Sequence, residues 1–359
     1  DENEIGILAR AMTLKFGFLG LPHGGAKAGV IGDPEAPREE RLERLRTFAQ
    51  AISPLLAKRF YIPATDMGTE IADIRHMVES AGIPLRKRDF SIERSGYYTA
   101  LTVFTGLKQA VRRLGSDIPG RKAAIEGYGK VGSALAGLLH KAGARIIAVS
   151  TSRGAIYNPG GLDIPSLNRI AAEAGSRSVE LYDKAERISP SSLLELPVDI
   201  LCPCAMSGSI HEKNAGRISA RVICPGANNP VSPEAEVILF RRGIISIPYF
   251  IANCGGVLGG TMEFAFVKKN KIEGFIDSHI GSRIAKLLED AAVKGLPPIE
   301  LAVPFAMKRF EDMGLKSAHP TAASRFFGLG LELYRRGYVP GCLAGPLAPG
   351  YFKRILYGE

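Results

Sequence analysis

The chain has 359 residues, of which 46% are hydrophobic and 23% charged, with 46 Lys and Arg against 36 Asp and Glu. These are globular proportions, and they exclude a disordered, collagenous or disulfide-stapled chain. The length suggests two domains, each able to bury a core. The 5 Cys are few and odd in number. They point to free thiols in a reducing compartment, so a cytoplasmic location is expected. The net charge of +10 comes in short pieces such as Arg86-Lys87-Arg88, Arg112-Arg113 and Lys268-Lys269. With no aromatic interleaving, this is a solvated surface that attracts anionic small molecules, and no nucleic-acid partner is expected. The chain opens at Asp1 without a Met, so an upstream segment is expected to be missing.

In chain order, Glu39–Leu56 places Leu42, Leu45, Phe48, Ala49 and Ile52 at spacings of three and four, which predicts an amphipathic helix. Thr99–Leu114 reads as another, closed by Gly115. Ser116–Gly120 is a turn and a domain boundary. Lys122–Glu126 then reads as a strand, Ser133–Ala142 as a helix closed by Gly143, and Arg145–Ser150 as a second strand. The apolar runs Val198–Cys202, Ala220–Cys224 and Ile244–Ile247 continue the alternation. Strands alternating with helices predict an α/β fold with a doubly wound, mostly parallel sheet. Gly243–Met262 carries no charge and has the length of a membrane span, but Pro248, Asn253 and two Gly pairs break it. A strand, a loop and a helix start are expected there, and no membrane partner.

Gly127-x-Gly129-x-x-Gly132 sits between a predicted strand and helix, the context in which this pattern cradles a dinucleotide pyrophosphate. A carboxylate usually waits about 20 residues on for a ribose 2′-hydroxyl. Here the strand ends in Ser150-Thr151-Ser152-Arg153, which favours NADP over NAD, with Thr151, Ser152 and Arg153 as candidate readers. A second motif is Leu21-Pro-His-Gly24-Gly25-Ala26-Lys27-Ala-Gly29, followed by Asp33-Pro34. Lys27 follows glycines but no Ser or Thr follows it, so this is not a Walker loop. Lys15 lies upstream, and two ammonium groups in one cleft would depress each other's pKa. Asp66, within Pro63-Ala64-Thr65-Asp66-Met67-Gly68, is either a helix cap or a functional carboxylate. Ala227-Asn228-Asn229-Pro230 and Ala252-Asn253-Cys254-Gly255-Gly256 each follow an apolar strand, where side chains face the crevice of an open sheet. Cys202-x-Cys204 lacks a His partner and reads as core packing, so no metal is expected.

In this order these motifs resemble those of the glutamate/leucine/phenylalanine/valine dehydrogenase family, from Leu8 to Phe264. The resemblance implies an N-terminal α/β substrate and assembly domain (1–115) and a Rossmann-like NAD(P)-binding domain (116–310). A C-terminal segment (311–359) would pack back on the first domain. It implies Lys27 as the catalytic lysine that polarises the substrate and its carbinolamine, and Asp66 as the proton relay. Lys15 would hold the α-carboxylate, with Gly24 and Gly25 beside it. Thr99 and Asn253 would lie near the nicotinamide. Tyr128, Lys130, Val131, Ala205, Ala227 and Asn228 would line the cofactor cleft with the three glycines. The implied reaction is reversible, NAD(P)-dependent oxidative deamination of an L-amino acid to a 2-oxo acid and ammonia. The implied assembly is a homo-oligomer: a hexamer, an octamer or, less often, a dimer. Glutamate members carry a serine where this chain has Gly260, which favours an aliphatic or aromatic substrate. The alternatives are a glutamate dehydrogenase, and a non-catalytic nucleotide-binding paralogue or regulatory subunit.

Overall fold

The computed structural model describes residues 2–33, 36–66, 68–86, 89, 94–318 and 321–358, with 322–327 by backbone alone. Pro34, Met67, Lys87 and Arg88 lie outside the described residues. Before Lys122, the described chain is helix and connecting loop: α1 (Glu2–Leu19), α2 (Arg38–Ala51), α3 (Ser53–Ala57), α4 (Ile71–Ser80) and α5 (Ser95–Arg113). The single helix expected over 39–56 is split at Ile52. Pro54 cannot donate to the preceding turn, so it starts a new helix rather than continuing the old one. α4 is opened by a capping box in which Glu70 and Asp73 satisfy each other's backbone N–H.

A seven-stranded sheet follows. Its strands are β1 (Lys122–Glu126), β2 (Arg145–Thr151), β3 (Gly154–Tyr157), β4 (Glu186–Ile188), β5 (Ile200–Pro203), β6 (Val222–Ile223) and β7 (Ile245–Ser246). They lie in the order β4-β3-β2-β1-β5-β6-β7. β2, β1, β5, β6 and β7 run parallel. The helix α6 (Lys130–Lys141) joins β1 to β2, and the chain later returns to the other side of β1 at β5. The carboxyl ends of β1, β2 and β5 therefore flank a topological switch point, where such sheets bind ligands. One local departure from the sequence expectation matters. β2 turns straight back into β3 as an antiparallel hairpin, and β4 pairs antiparallel beyond it.

Side chains alternate across the sheet as the pleat requires. Ala123 and Ile125 of β1 face a core shared with Val103 and Leu107 of α5 and Leu135 and Leu139 of α6. Ala124, Ala148 and Leu201 face the opposite core with Leu193 and Leu239. Gly243–Met262 becomes β7, a short helix and the helix Gly255–Phe264. Among the described residues no helix is long and apolar enough to cross a membrane.

The helix Pro298–Ala318 lies along α1, with Gly17 against the Ala306 carbonyl. Arg309 donates to Phe18 O at 2.9 Å and to Leu356 O at 2.8 Å, which joins both helices to the C-terminal helix Gly341–Tyr357. The domain border expected at 310/311 falls inside this continuous helix.

Candidate active site

One wall of the cleft is built on α1. Lys15 is buried on its inner face. The loop 21–30 runs back along α1, and the Gly25 N–H donates to Thr13 Oγ1 at 3.1 Å. A Cβ at Gly25 would collide with the α1 backbone at Ala9 and Thr13, so only glycine lets the loop lie this close. Gly24 has room, with the nearest atom of Phe310 at 3.8 Å from where a Cβ would stand. The loop thereby delivers Lys27 to the cleft, where its ammonium is ion-paired with Asp66. Asp66 sits on a turn. Its N–H donates to Thr69 Oγ1 at 2.9 Å, and Gly68 has a left-handed φ of 75°. Asp66 is not the cap of α4, because Glu70 is.

Electrostatics mark these lysines. Burial lowers Lys15 to about 8, helped by the nearby Lys27 ammonium and opposed by the Cys254 thiol. Burial also lowers Lys27. Both move toward the range in which an amine can exchange protons near neutral pH.

The other wall is the end of the sheet. Gly127 has a φ of 90°, and a Cβ there would stand 2.7 Å from Ala205 N. A Cβ at Gly132 would strike the Gly127 carbonyl, whereas one at Gly129 would project into open space. The turn is pinned to β2, since the Gly127 N–H donates to Ser150 Oγ at 3.0 Å and the Tyr128 N–H to Ser150 O at 2.6 Å. The Tyr128 ring is buried, and its hydroxyl donates to Asn168 Oδ1 at 2.7 Å. Tyr128 lines the cleft together with Lys130 and Val131 at the N-terminus of α6. Thr99 Oγ1 donates to Ser95 O at 2.9 Å on the cleft rim, beside Gly256.

Ala205, Ala227 and Asn228 also line the cleft. Asn253 is buried and donates through Nδ2 to Ala227 O at 2.9 Å and to Asn228 Oδ1 at 3.0 Å. Its own Oδ1 is buried with no hydrogen-bond partner. Such an acceptor calls for a donor from a ligand. A bare glycine cradle, a free helix N-terminus and an orphaned amide oxygen are what a nicotinamide dinucleotide would need, so the residues present fit that group.

Two sequence expectations do not meet the cleft. Arg153 is exposed in the β2–β3 hairpin turn, its N–H donating to Thr151 Oγ1 at 3.1 Å. Thr151 and Ser152 line the cleft and Arg153 does not, because the hairpin turns it outward. Thr151 already gives its hydroxyl to Ser176 O at 2.7 Å. Gly260 is buried in the helix Gly255–Phe264 and is not on the cleft surface, whereas Val257 and Thr261 are. Gly255 and Gly259 press against Tyr98 of α5, and that contact sets the rotation of the helix.

The sequence reading missed three contributors. The C-terminal helix supplies Leu347 and Tyr351 to the cleft lining, where Met12, Phe16, Val257 and Phe264 also lie. Glu126 ends β1 in the cleft with Oε2 unpartnered, its carboxyl pushed up by burial. A charge at the end of an apolar strand was the available signal. Gly96 brings α5 onto the start of α6, with Lys130 Cβ 3.3 Å from where its own Cβ would stand. Among the described residues no three His, Cys, Asp or Glu side chains converge as a metal site. Burial pushes the Cys202 and Cys204 thiols up, as expected of packed cysteines.

Comparison with known proteins agrees with this geometry. Residues 92–295 match the model described as Glutamate/Leucine/Phenylalanine/Valine dehydrogenase, and residues 1–82 match that family's dimerisation domain. A glutamate dehydrogenase of Thermotoga maritima is 39% identical over 277 residues, 73% of this chain and 66% of that protein. An NAD-specific glutamate dehydrogenase of Staphylococcus aureus is 34% identical over 310 residues, 81% of this chain and 72% of that protein. The chain thus spans roughly two thirds of the length of the curated relatives it matches. Two solved structures share the fold. The hetero-hexameric glutamate dehydrogenase of Thermus thermophilus in a leucine-bound form has a TM-score of 0.74 at 22% identity, covering 85% of this chain and 76% of that one. The L-tryptophan dehydrogenase of Nostoc punctiforme has 0.60 at 24%, covering 86% and 82%. The chain belongs to the glutamate/leucine/phenylalanine/valine dehydrogenase family.

Proposed function

We propose that this chain catalyses the reversible oxidative deamination of an L-amino acid to a 2-oxo acid and ammonia with a nicotinamide coenzyme. The observation that carries this reading is the Lys27–Asp66 ion pair beside buried Lys15, facing the glycine cradle across one cleft. When bound, the nicotinamide ring accepts a hydride from the amino-acid Cα. The chain's own residues do the rest. The Lys15 ammonium holds the α-carboxylate. Asp66 takes a proton from the substrate amino group. Lys27, drawn toward its neutral form by burial, takes the proton that water gives up on adding to the imino carbon; once that proton has passed to solvent, Lys27 takes the carbinolamine hydroxyl proton as the carbonyl forms. Asp66 returns a proton to the leaving ammonia. Preset charges in a shielded cleft supply most of the stabilisation.

The apolar side chains of Met12, Phe16, Val257, Phe264, Leu347 and Tyr351 in the cleft lining support an aliphatic or aromatic substrate. A glutamate substrate is the second reading, favoured by relatives that bear that name. The coenzyme preference is NADP, supported by the want of a carboxylate in Ser150–Arg153. It would require Arg153 to swing in from its turn. The first domain would end near residue 115, and the nucleotide domain would run to the linker before Pro298. Residues from 298 on would pack back on α1. A homo-oligomer, hexameric or octameric, is supported by the match to a dimerisation domain. Ile31 and Phe60, 94% and 75% exposed within that region, are apolar side chains that assembly would cover. A cytoplasmic location belongs to the same reading.

The test is the initial rate of coenzyme reduction, with NAD and with NADP, across glutamate, leucine, valine, phenylalanine and alanine. Turnover with an apolar amino acid supports the reading in full. Glutamate-only turnover keeps the mechanism and overturns the side-chain assignment. Coenzyme binding without turnover across the panel would point to the non-catalytic alternative.

A further inference from the structure

Lys15 is the ammonium proposed to hold the substrate carboxylate, and a role for its partners rests on that reading. An ammonium has three N–H donors. One of them donates to Asn228 Oδ1 at 2.8 Å, across 213 residues of sequence. Lys15 belongs to α1, and Asn228 to the loop after β6, so this bond crosses the cleft. The titratable groups acting on Lys15 are Lys27, on the loop against α1, and Cys254, at the start of the helix Gly255–Phe264.

Asn228 is aimed by its own surroundings. Asn253 Nδ2 donates to the same Oδ1 at 3.0 Å. The Ser207 hydroxyl donates to Asn228 O at 2.8 Å. Asn229 follows with a left-handed φ of 49°, its carbonyl accepting from the Gly208 N–H at 3.0 Å. The end of the sheet therefore presents one fixed amide oxygen to Lys15. That oxygen is neutral. It can orient the ammonium without cancelling its charge, which a carboxylate at the same place would do. The Gly25–Thr13 bond ties the Lys27 loop to the same helix, so the bond also registers both lysines on the end of the sheet.

We propose that Asn228 is a positioning residue for Lys15. It holds the ammonium across the cleft and leaves N–H donors for the substrate carboxylate, so that carboxylate capture and the seating of α1 on the sheet are one event.

The experiment is steady-state kinetics of the full chain against pH, for the parent protein, Asn228→Ala and the isosteric Asn228→Asp. In the parent, the amino-acid KM should rise as Lys15 loses its proton. Asn228→Ala should raise that KM by ~10-fold, as expected for a lost hydrogen bond to a charged group. The effect on kcat should be smaller, and the alkaline rise should move to lower pH because the ammonium has lost its acceptor. Asn228→Asp should move the rise to higher pH, and should also raise KM by competing with the substrate carboxylate. A purely structural asparagine would alter Tm and leave the alkaline limb in place. Unchanged KM and unchanged limbs in variants that still turn over would overturn the proposal. So would an unmoved limb in the isosteric variant, should the alanine variant fail to fold. A parent protein that deaminates no amino acid would instead overturn the reading beneath it, a separate and distinguishable outcome.

Discussion

Lys27 and Asp66 form an ion pair in the cleft although 39 residues separate them in the chain. Asp66 lies in the turn of Gly68 and Thr69, Lys27 follows Gly24 and Gly25, and the cap of α4 is Glu70. Lys27→Ala and Asp66→Asn should each lower kcat by ~10³-fold, the range of a lost acid–base group. Both should still bind coenzyme, measured by quenching or enhancement of its fluorescence. Turnover near the parent rate in either variant would remove the pair from the mechanism.

Gly129 and Gly132 belong to one motif but should fail differently. A methyl at Gly132 meets the Gly127 carbonyl, so Gly132→Ala should cost about 2 kcal/mol or more of stability. A methyl at Gly129 meets no protein atom. Gly129→Ala should therefore keep the parent Tm and weaken coenzyme binding by ~10-fold or more, because the methyl occupies the approach of a phosphate. Equal Tm losses in the two variants would contradict this division.

Arg153 stands outside the cleft in the hairpin turn. If it swings in to meet a 2′-phosphate, Arg153→Ala should raise the KM for NADP several-fold, in line with a lost charge-assisted contact. The KM for NAD should stay as it is. Parallel effects on both coenzymes, or none on either, would remove the NADP preference.

Glu236 should give stability an unusual pH dependence. It is buried under β7, accepts from the Ser246 hydroxyl at 3.1 Å through Oε1, and leaves Oε2 unpartnered. Burial raises its carboxyl to about 7. Between its unfolded value of 4.5 and about 7, the folded state holds the proton that the unfolded state has lost. Stability from this group is therefore full below that window and falls as pH rises through it, by about 3 kcal/mol. Glu236→Gln should raise Tm at pH 8 and leave it nearly unchanged at pH 4.5. A variant with the same Tm shift at both values would disprove the titration.

What the sequence by itself determined was local. The strand β1 was legible to the residue, because the short apolar run Ala123-Ala124-Ile125 lies between glycine turns at Gly120 and Gly127. The cradle was legible because a left-handed φ at Gly127 and a backbone-to-backbone approach at Gly132 exclude every other side chain, while Gly129 leaves open space between them. The Lys27 loop was legible for the same steric reason at Gly25. The tertiary structure decided what depends on rotation and return of the chain. Gly260 and Thr261 are neighbours in sequence, but a helix turns by about 100° per residue, and the contact of Gly255 and Gly259 with Tyr98 put Thr261 on the cleft. Arg153 left the cleft because β2 pairs with β3 instead of entering a helix. Lys15 met Asn228 across 213 residues of sequence, and the C-terminal helix reached the cleft because Arg309 ties it and its own helix to α1. Contacts between distant segments are selected by the packing of the whole core, and no local pattern encodes them.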